Sequence, residues 1–174
     1  MLHYEKITIR NARPEDAPLL ARWWNDGAVM AHAGFPKGLG TTAEKIAAGL
    51  ADDTDETRRR MILLWDTTPI GEMVYRNIGS RTADIGIKIC ERSFQEKGIG
   101  RIALSMLIQY LFDNGYTKIV LDTNLNNTRA QHVYEKLGFQ RLRVNPDSWW
   151  NQLGQWESSV DYALTADTFT NFAV

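Results

Sequence analysis

Gln95-Glu96-Lys97-Gly98-Ile99-Gly100-Arg101 follows a short β-like run and opens a long apolar helix. Two glycines one residue apart at a strand-to-helix junction let the backbone pass close to a ligand. The free N–H groups of the first helical turn then point at whatever sits there. Helix dipole and N–H donors both favour an anion, and a diphosphate suits the spacing. Lys97 and Arg101 add positive charge on either side.

Ile99 to Asn114 reads as a helix that is apolar almost all round. Arg101, Ser105, Gln109 and Asp113 form its narrow polar stripe, which predicts a largely buried element. Before it, Ala83 to Cys90 alternates: Ile85, Ile87 and Ile89 face one side, and Asp84, Gly86, Lys88 and Cys90 the other. After it, Lys118 to Thr123 is a strand reached across the helix, so this β-α-β unit is expected to be parallel. Asn127 then starts a second helix, with Ala130, Val133, Tyr134 and Leu137 on one face and Gly138 as its stop signal.

Towards the N-terminus, Lys6–Arg10 reads as a strand. Pro14 opens a helix whose apolar face is Ala17, Leu20, Ala21 and Trp24. Met30 to Gly40 reads as loop. Thr41 with Glu44 forms a capping-box pattern before a helix carrying Ala43, Ile46, Ala47 and Leu50. Met61–Trp65 and Ile70–Asn77 read as strands around an Asp-Thr-Thr-Pro turn, and further strands are expected near Gln140–Val144 and Glu157–Leu164. The expectation is an α/β fold: one domain over 1–174, a mixed, mostly antiparallel central sheet with one parallel β-α-β crossover, and helices on both faces.

Composition narrows the function classes. The chain has 174 residues, 44% hydrophobic and 24% charged, with a formal net charge of −1. No global field draws it to nucleic acid or to an anionic membrane. The one basic run, Arg58-Arg59-Arg60, follows Asp52, Asp53, Asp55 and Glu56 and reads as a solvated loop of mixed charge. One cysteine excludes an internal disulfide and a cysteine-based zinc site, and no metal is expected. No apolar run approaches the ~20 residues of a membrane span, and no signal-like segment is apparent, so a cytoplasmic protein is expected.

The Gln95–Arg101 loop followed by Asn127-x₆-Tyr134-x₃-Gly138-Phe139 resembles the GNAT superfamily of acetyl-CoA-dependent N-acetyltransferases. The pattern Gln-x-x-Gly-x-Gly is met by Gln95, Gly98 and Gly100. The ending Val160–Asp167 is similar to the branch holding ribosomal-protein N-terminal acetyltransferases and small-amine and antibiotic acetyltransferases. The resemblance implies that acetyl-CoA is the co-substrate, with its diphosphate on the backbone of Gln95, Glu96, Lys97, Gly98, Ile99, Gly100 and Arg101. It implies a pantetheine arm beside backbone near Ile89 and Cys90, and bonded by Asn127. It implies that the Tyr134 hydroxyl protonates the departing sulfur. The acceptor is then a small-molecule amine or a peptide N-terminus. A non-catalytic acyl-CoA sensor on the same fold is the rival reading.

An amine with a reference pKa near ~10.4 must lose a proton before attack. Glu72 and Asp122 are the candidate bases, ahead of Asp84 and Glu91. Cys90 raises a rival acetyl-cysteine route, although none of His3, His32 and His132 is placed to activate it. Trp149, Trp150 and Trp156 lie between the last two strands; they suit an acceptor-site lid, a homodimer contact, or a plug at the core edge.

Overall fold

A computed structural model describes Met1–Val174. Eight strands form one sheet: β1 (Leu2–Tyr4), β2 (Ile7–Asn11), β3 (Arg58–Trp65), β4 (Thr68–Asn77), β5 (Thr82–Ile89), β6 (Lys118–Asn124), β7 (Gln140–Trp150) and β8 (Trp156–Leu164). Their spatial order is β1-β2-β3-β4-β5-β6-β8-β7, and β5 with β6 is the parallel pair among antiparallel ones. Five helices complete the fold: α1 (Ala17–Trp24), α2 (Gly27–Met30), α3 (Ala43–Ala51), α4 (Ile99–Asp113) and α5 (Thr128–Leu137).

Strand alternation builds two cores on opposite faces. Ile9, Leu63, Met73, Ile85, Leu121 and Tyr162 bury against Leu104, Leu107 and Leu111 of α4 and Tyr134 and Leu137 of α5. Ile62 and Cys90 point the other way and pack with Leu20 and Trp23 of α1 and Ile46 and Leu50 of α3. The expected mixed sheet with helices on both faces is what the chain forms.

Several local expectations change. Pro14 opens a short 3-10 turn, Pro14–Asp16, and α1 proper starts at Ala17. Trp23, 3% exposed, joins the apolar face of α1 as its fully buried tryptophan, while Trp24 packs partly buried against the same core and reaches Glu72 on β4. Thr42, not Thr41, caps α3, its side chain accepting from the Lys45 N–H. The Met30–Gly40 stretch is preceded by α2 and starts with a 3-10 turn, Ala31–Ala33. Arg58–Arg60 belongs to β3 and not to a loop. Arg58 and Arg60 pair with Asp53, whose side chain is 2% exposed, and Arg59 pairs with Asp55. Despite its burial, these guanidinium bonds hold the Asp53 carboxyl below the usual carboxylate range.

The polar stripe of α4 has its own partner. The segment after β8 lies along it: Asn171 donates to Gln109, the Phe172 N–H donates to Ser105 Oγ, and the Phe172 ring lies 4.3 Å from the Arg101 guanidinium carbon. Ser105 is thereby fully buried.

Candidate functional site

The turn entering α4 leaves a run of donors free. Arg101 N–H and Ile102 N–H both reach the Gly98 carbonyl, but the consecutive N–H groups of Glu96, Lys97, Gly98, Ile99 and Gly100 have no protein acceptor. Glu96 (φ 62°) and Gly98 (φ 76°) are left-handed, and this curls the N–H groups into a concave nest. A left-handed glutamate costs about 1–2 kcal/mol, and the strain sits where the donors converge. Gly98 is needed for that conformation. Gly100 is not: it is helical, and a Cβ there would come no nearer than 3.9 Å, to Ile87 Cδ1. Alanine would favour the helix by up to ~1 kcal/mol, so nothing in the protein itself calls for glycine at that position.

The residues around the nest divide. Gln95 Nε2 donates to the Ile89 carbonyl at 2.9 Å and ties the loop to the end of β5. Ile99, 3% exposed, anchors the helix start in the larger core. Lys97 is exposed, its ammonium 5.7 Å from the Phe94 ring centroid. Glu96 pairs with Arg129 at 3.0 Å. Arg101 is turned towards Phe172, and its Nε is sealed without a partner.

Next to the nest the sheet opens. β5 and β6 pair from Thr82 with Lys118 only as far as Asp84 with Val120, yet β5 runs on to Ile89 and β6 to Asn124. Cys90 N–H bonds the Ile70 carbonyl of β4. Antiparallel alternation then turns the N–H groups of Ile87 and Ile89 to the opposite edge, into the opening. Of the pair Ile89 and Cys90, Ile89 has its backbone on the gap. The Cys90 side chain enters the smaller core, and burial pushes its thiol far above the ordinary range, with Glu72 adding to the effect. A thiol so held is a poor nucleophile.

Asn127 caps α5, its Oδ1 accepting from the Ala130 N–H at 3.3 Å. Tyr134 packs edge-on against Phe139 and Tyr162, with ring centroids 5.9 and 5.8 Å away. Burial, then the charges of Asp122 and Tyr162, push its phenol up to about 12. No protein group bonds the hydroxyl, and that oxygen is not sealed from solvent. A core tyrosine ordinarily has its hydroxyl satisfied; this one is available.

The two carboxylates have different surroundings. Glu72 on β4 accepts at one oxygen from Trp24 Nε1 (2.7 Å) and from Lys88 Nζ (3.3 Å), while Lys88 Nζ also lies 3.1 Å from Met30 Sδ. Asp122 on β6 has no ion-pair partner and is exposed to solvent. It stands opposite Asp161 of β8. Asp161 is paired to Arg143, and Asp84 to Arg76. The protein around it, then the charges of Asp84 and Asp161, hold the Asp122 carboxyl above the ordinary range. Glu91 is bonded by Trp23 Nε1 and Arg22 and lies away from the opening.

The tryptophan segment also divides. Trp149 packs on Gly34 of the loop after α2, while Trp150 and Trp156 stack at 4.2 Å with more than half of each exposed. Nothing in the sequence singles out Lys88 as the ionic partner of Glu72. The alternation of β5 is its one signal, since it puts Lys88 on the face away from α4.

A family model described as an acetyltransferase (GNAT) domain matches residues 6–140. Over 51 residues, 29% of this chain, the sequence is 39% identical to the mycothiol acetyltransferase of Rhodococcus erythropolis, and the match spans 17% of that relative's own length. A solved structure described as a probable acetyltransferase superposes with a TM-score of 0.81 at 25% identity, covering 94% of each chain. The ribosomal-protein-S5-alanine acetyltransferase of Vibrio fischeri shares the fold, with a TM-score of 0.82 at 19% identity over 97% of each chain.

Proposed function

Since the chain belongs to the GNAT acetyltransferase family, we propose that it is an N-acetyltransferase that moves acetyl from acetyl-CoA directly to a primary amine, on a small molecule or a protein N-terminus. The observation that carries this reading is the nest of unpartnered donors at Glu96–Gly100 beside an unpaired strand edge. A diphosphate fits those donors and the Cβ-free space at Gly100. Titrating the protein with acetyl-CoA by calorimetry, followed by a thiol-release screen across amine classes, tests it; no binding would end the reading.

Acetyl-CoA supplies an activated thioester carbonyl. The remaining chemistry falls to the protein. The N–H groups of Ile87 and Ile89 line the pantetheine arm and polarise the carbonyl, acting as a preorganised oxyanion site. The free side-chain amide of Asn127 bonds the arm. Tyr134 faces the sulfur. With the phenol near 12 and a thiol near ~8.5, full proton transfer is uphill by ~5 kcal/mol. Tyr134 therefore acts first as a hydrogen-bond donor to the charge growing on sulfur, and protonation follows.

Asp122 is the better base. It lacks a cationic partner, and a carboxyl held above the ordinary range is a stronger base than a free one. Glu72, held by Trp24 and Lys88, serves as a wall of the acceptor side. Asp122→Asn should lose activity most at neutral pH and recover partly in alkali, where more amine is already neutral. The same change should raise the melting temperature at pH 7 only slightly, because solvent screens an exposed carboxylate. A carboxyl whose folded pKa is raised destabilises the fold once ionised, and this effect vanishes below its unfolded pKa of ~3.9. At pH 3 the gain should therefore be absent. A wild-type pH–rate profile in the variant would remove Asp122 from the reaction.

The burial of Cys90 supports direct transfer. Cys90→Ala should keep most of the activity, and intact-mass spectrometry of the enzyme with acetyl-CoA and no amine should show no acetyl adduct. A stoichiometric adduct that an amine discharges would replace direct transfer by a two-step route.

A further inference from the structure

The stretch Ala31–Gly40 and the tip of the β7–β8 hairpin meet above the sheet, and one residue makes every hydrogen bond between them. The Gln152 N–H donates to the Gly34 carbonyl at 2.7 Å. Gln152 Nε2 donates to the Gly38 carbonyl at 2.9 Å, and Oε1 accepts from the Lys37 N–H at 2.7 Å. Beside this tie the Trp149 indole rests on Gly34 so closely that a Cβ would lie 2.2 Å from its Cζ3. At its other end the stretch follows Met30, whose Sδ sits 3.1 Å from Lys88 Nζ on β5.

The sheet order puts β6 between β5 and β8. A strap running from Lys88 of β5 to the hairpin of β8 therefore crosses the place where β5 and β6 part. Lys88 is on the face away from α4, as is Asp122, because their neighbours Ile87, Ile89 and Leu121 pack with α4 and α5. The strap roofs the opening on the side opposite the nest.

We infer that Gln152 is a specificity-determining residue: it latches this roof and so sets how large an amine can reach the acetyl group. The inference rests on the acetyltransferase reading, which puts the acceptor on that side. Gln152 lies outside the 6–140 span of the family model. Gln152 and Lys37 are exposed, so water competes for their bonds and the latch opens reversibly. A slender amine passes beneath the closed roof; a bulky one needs it open.

The test is Gln152→Ala in the full chain, which keeps the backbone bond to Gly34 and deletes both side-chain bonds. Hydrogen exchange at the Lys37 amide should quicken ~10-fold, which corresponds to ~1.4 kcal/mol at one bond. Acetyl-CoA affinity should stay at the wild-type value. In thiol-release assays, the kcat/KM for the tripeptide Ala-Ala-Ala relative to that for propylamine should rise several-fold. If neither amine is turned over, thiol release to water alone reads the same access and should rise. Unchanged exchange at Lys37, or faster exchange with both the amine ratio and release to water at wild-type values, overturns the latch. Failure of the wild-type protein to bind acetyl-CoA would instead overturn the acetyltransferase reading, and the exchange result would still report whether Gln152 holds the roof.

Discussion

Gly100→Val is expected to weaken acetyl-CoA binding by ~10²-fold or more and to leave the protein folded. Gly98 and Gly100 look alike in the sequence and differ in the fold. At Gly100 the backbone is helical and the nearest atom to a new Cβ is the flexible end of Ile87, 3.9 Å away. The fold has room for a side chain there, and a ligand lying on the nest would not. A hundredfold loss is ~2.7 kcal/mol, the scale expected when a diphosphate is pushed off several donors at once. Gly98→Ala gives the contrast. Its φ of 76° penalises any Cβ, by about 1–2 kcal/mol, so this variant should lose melting temperature as well as affinity. Calorimetry and thermal melts on both variants decide the matter. If Gly100→Val bound acetyl-CoA like wild type, the nest would not be the diphosphate site.

Tyr134→Phe should lower the maximal rate by ~10²-fold, the usual scale for one acid–base or oxyanion-type contact. The ring packs on Phe139 and Tyr162, and phenylalanine keeps both contacts. The deleted hydroxyl has no protein partner to orphan, so melting temperature and acetyl-CoA affinity should hold within error. The pH dependence sharpens the test. With a phenol near 12, wild type keeps the proton across the neutral and mildly alkaline range. No fall in rate from Tyr134 should therefore appear below about pH 10. A variant at full rate would leave Tyr134 as a packing residue.

Features that rest on local rules are legible in the order of amino acids alone. The junction at Gly98 is one case. A left-handed residue at a strand-to-helix turn favours glycine, as at Gly98, and the long, nearly all-round apolar run from Ile99 reads as a buried helix. Gly138, with φ of 98°, ends α5 for the same reason. Alternation in Ala83–Cys90 sorts Ile85, Ile87 and Ile89 from Lys88 and Cys90, and the two cores keep that division. These features depend on a few neighbouring residues and on backbone sterics, which sequence states directly.

Strand order and register are different, because they bring together residues with no local relation. Only the pairing of β6 with β5 and β8 surrounds Asp122 with protein and brings the charges of Asp84 and Asp161 near it, which together hold that carboxyl above the ordinary range. Only the β4–β5 register sets Lys88 against Glu72 and turns a candidate base into half of an ion pair. The polar stripe of α4 shows no partner in the sequence, and only the fold lays Phe172 on Arg101 and Ser105. Gln152 looks like any polar loop residue until the hairpin brings it to Gly34, Lys37 and Gly38, more than a hundred positions earlier in the chain. Local rules suffice for the turn of free donors at Glu96–Gly100. Which carboxylate is ion-paired and where Gln152 finds its partners depend on the fold, because charge and access are properties of neighbours in space, and those neighbours come from distant segments of the chain.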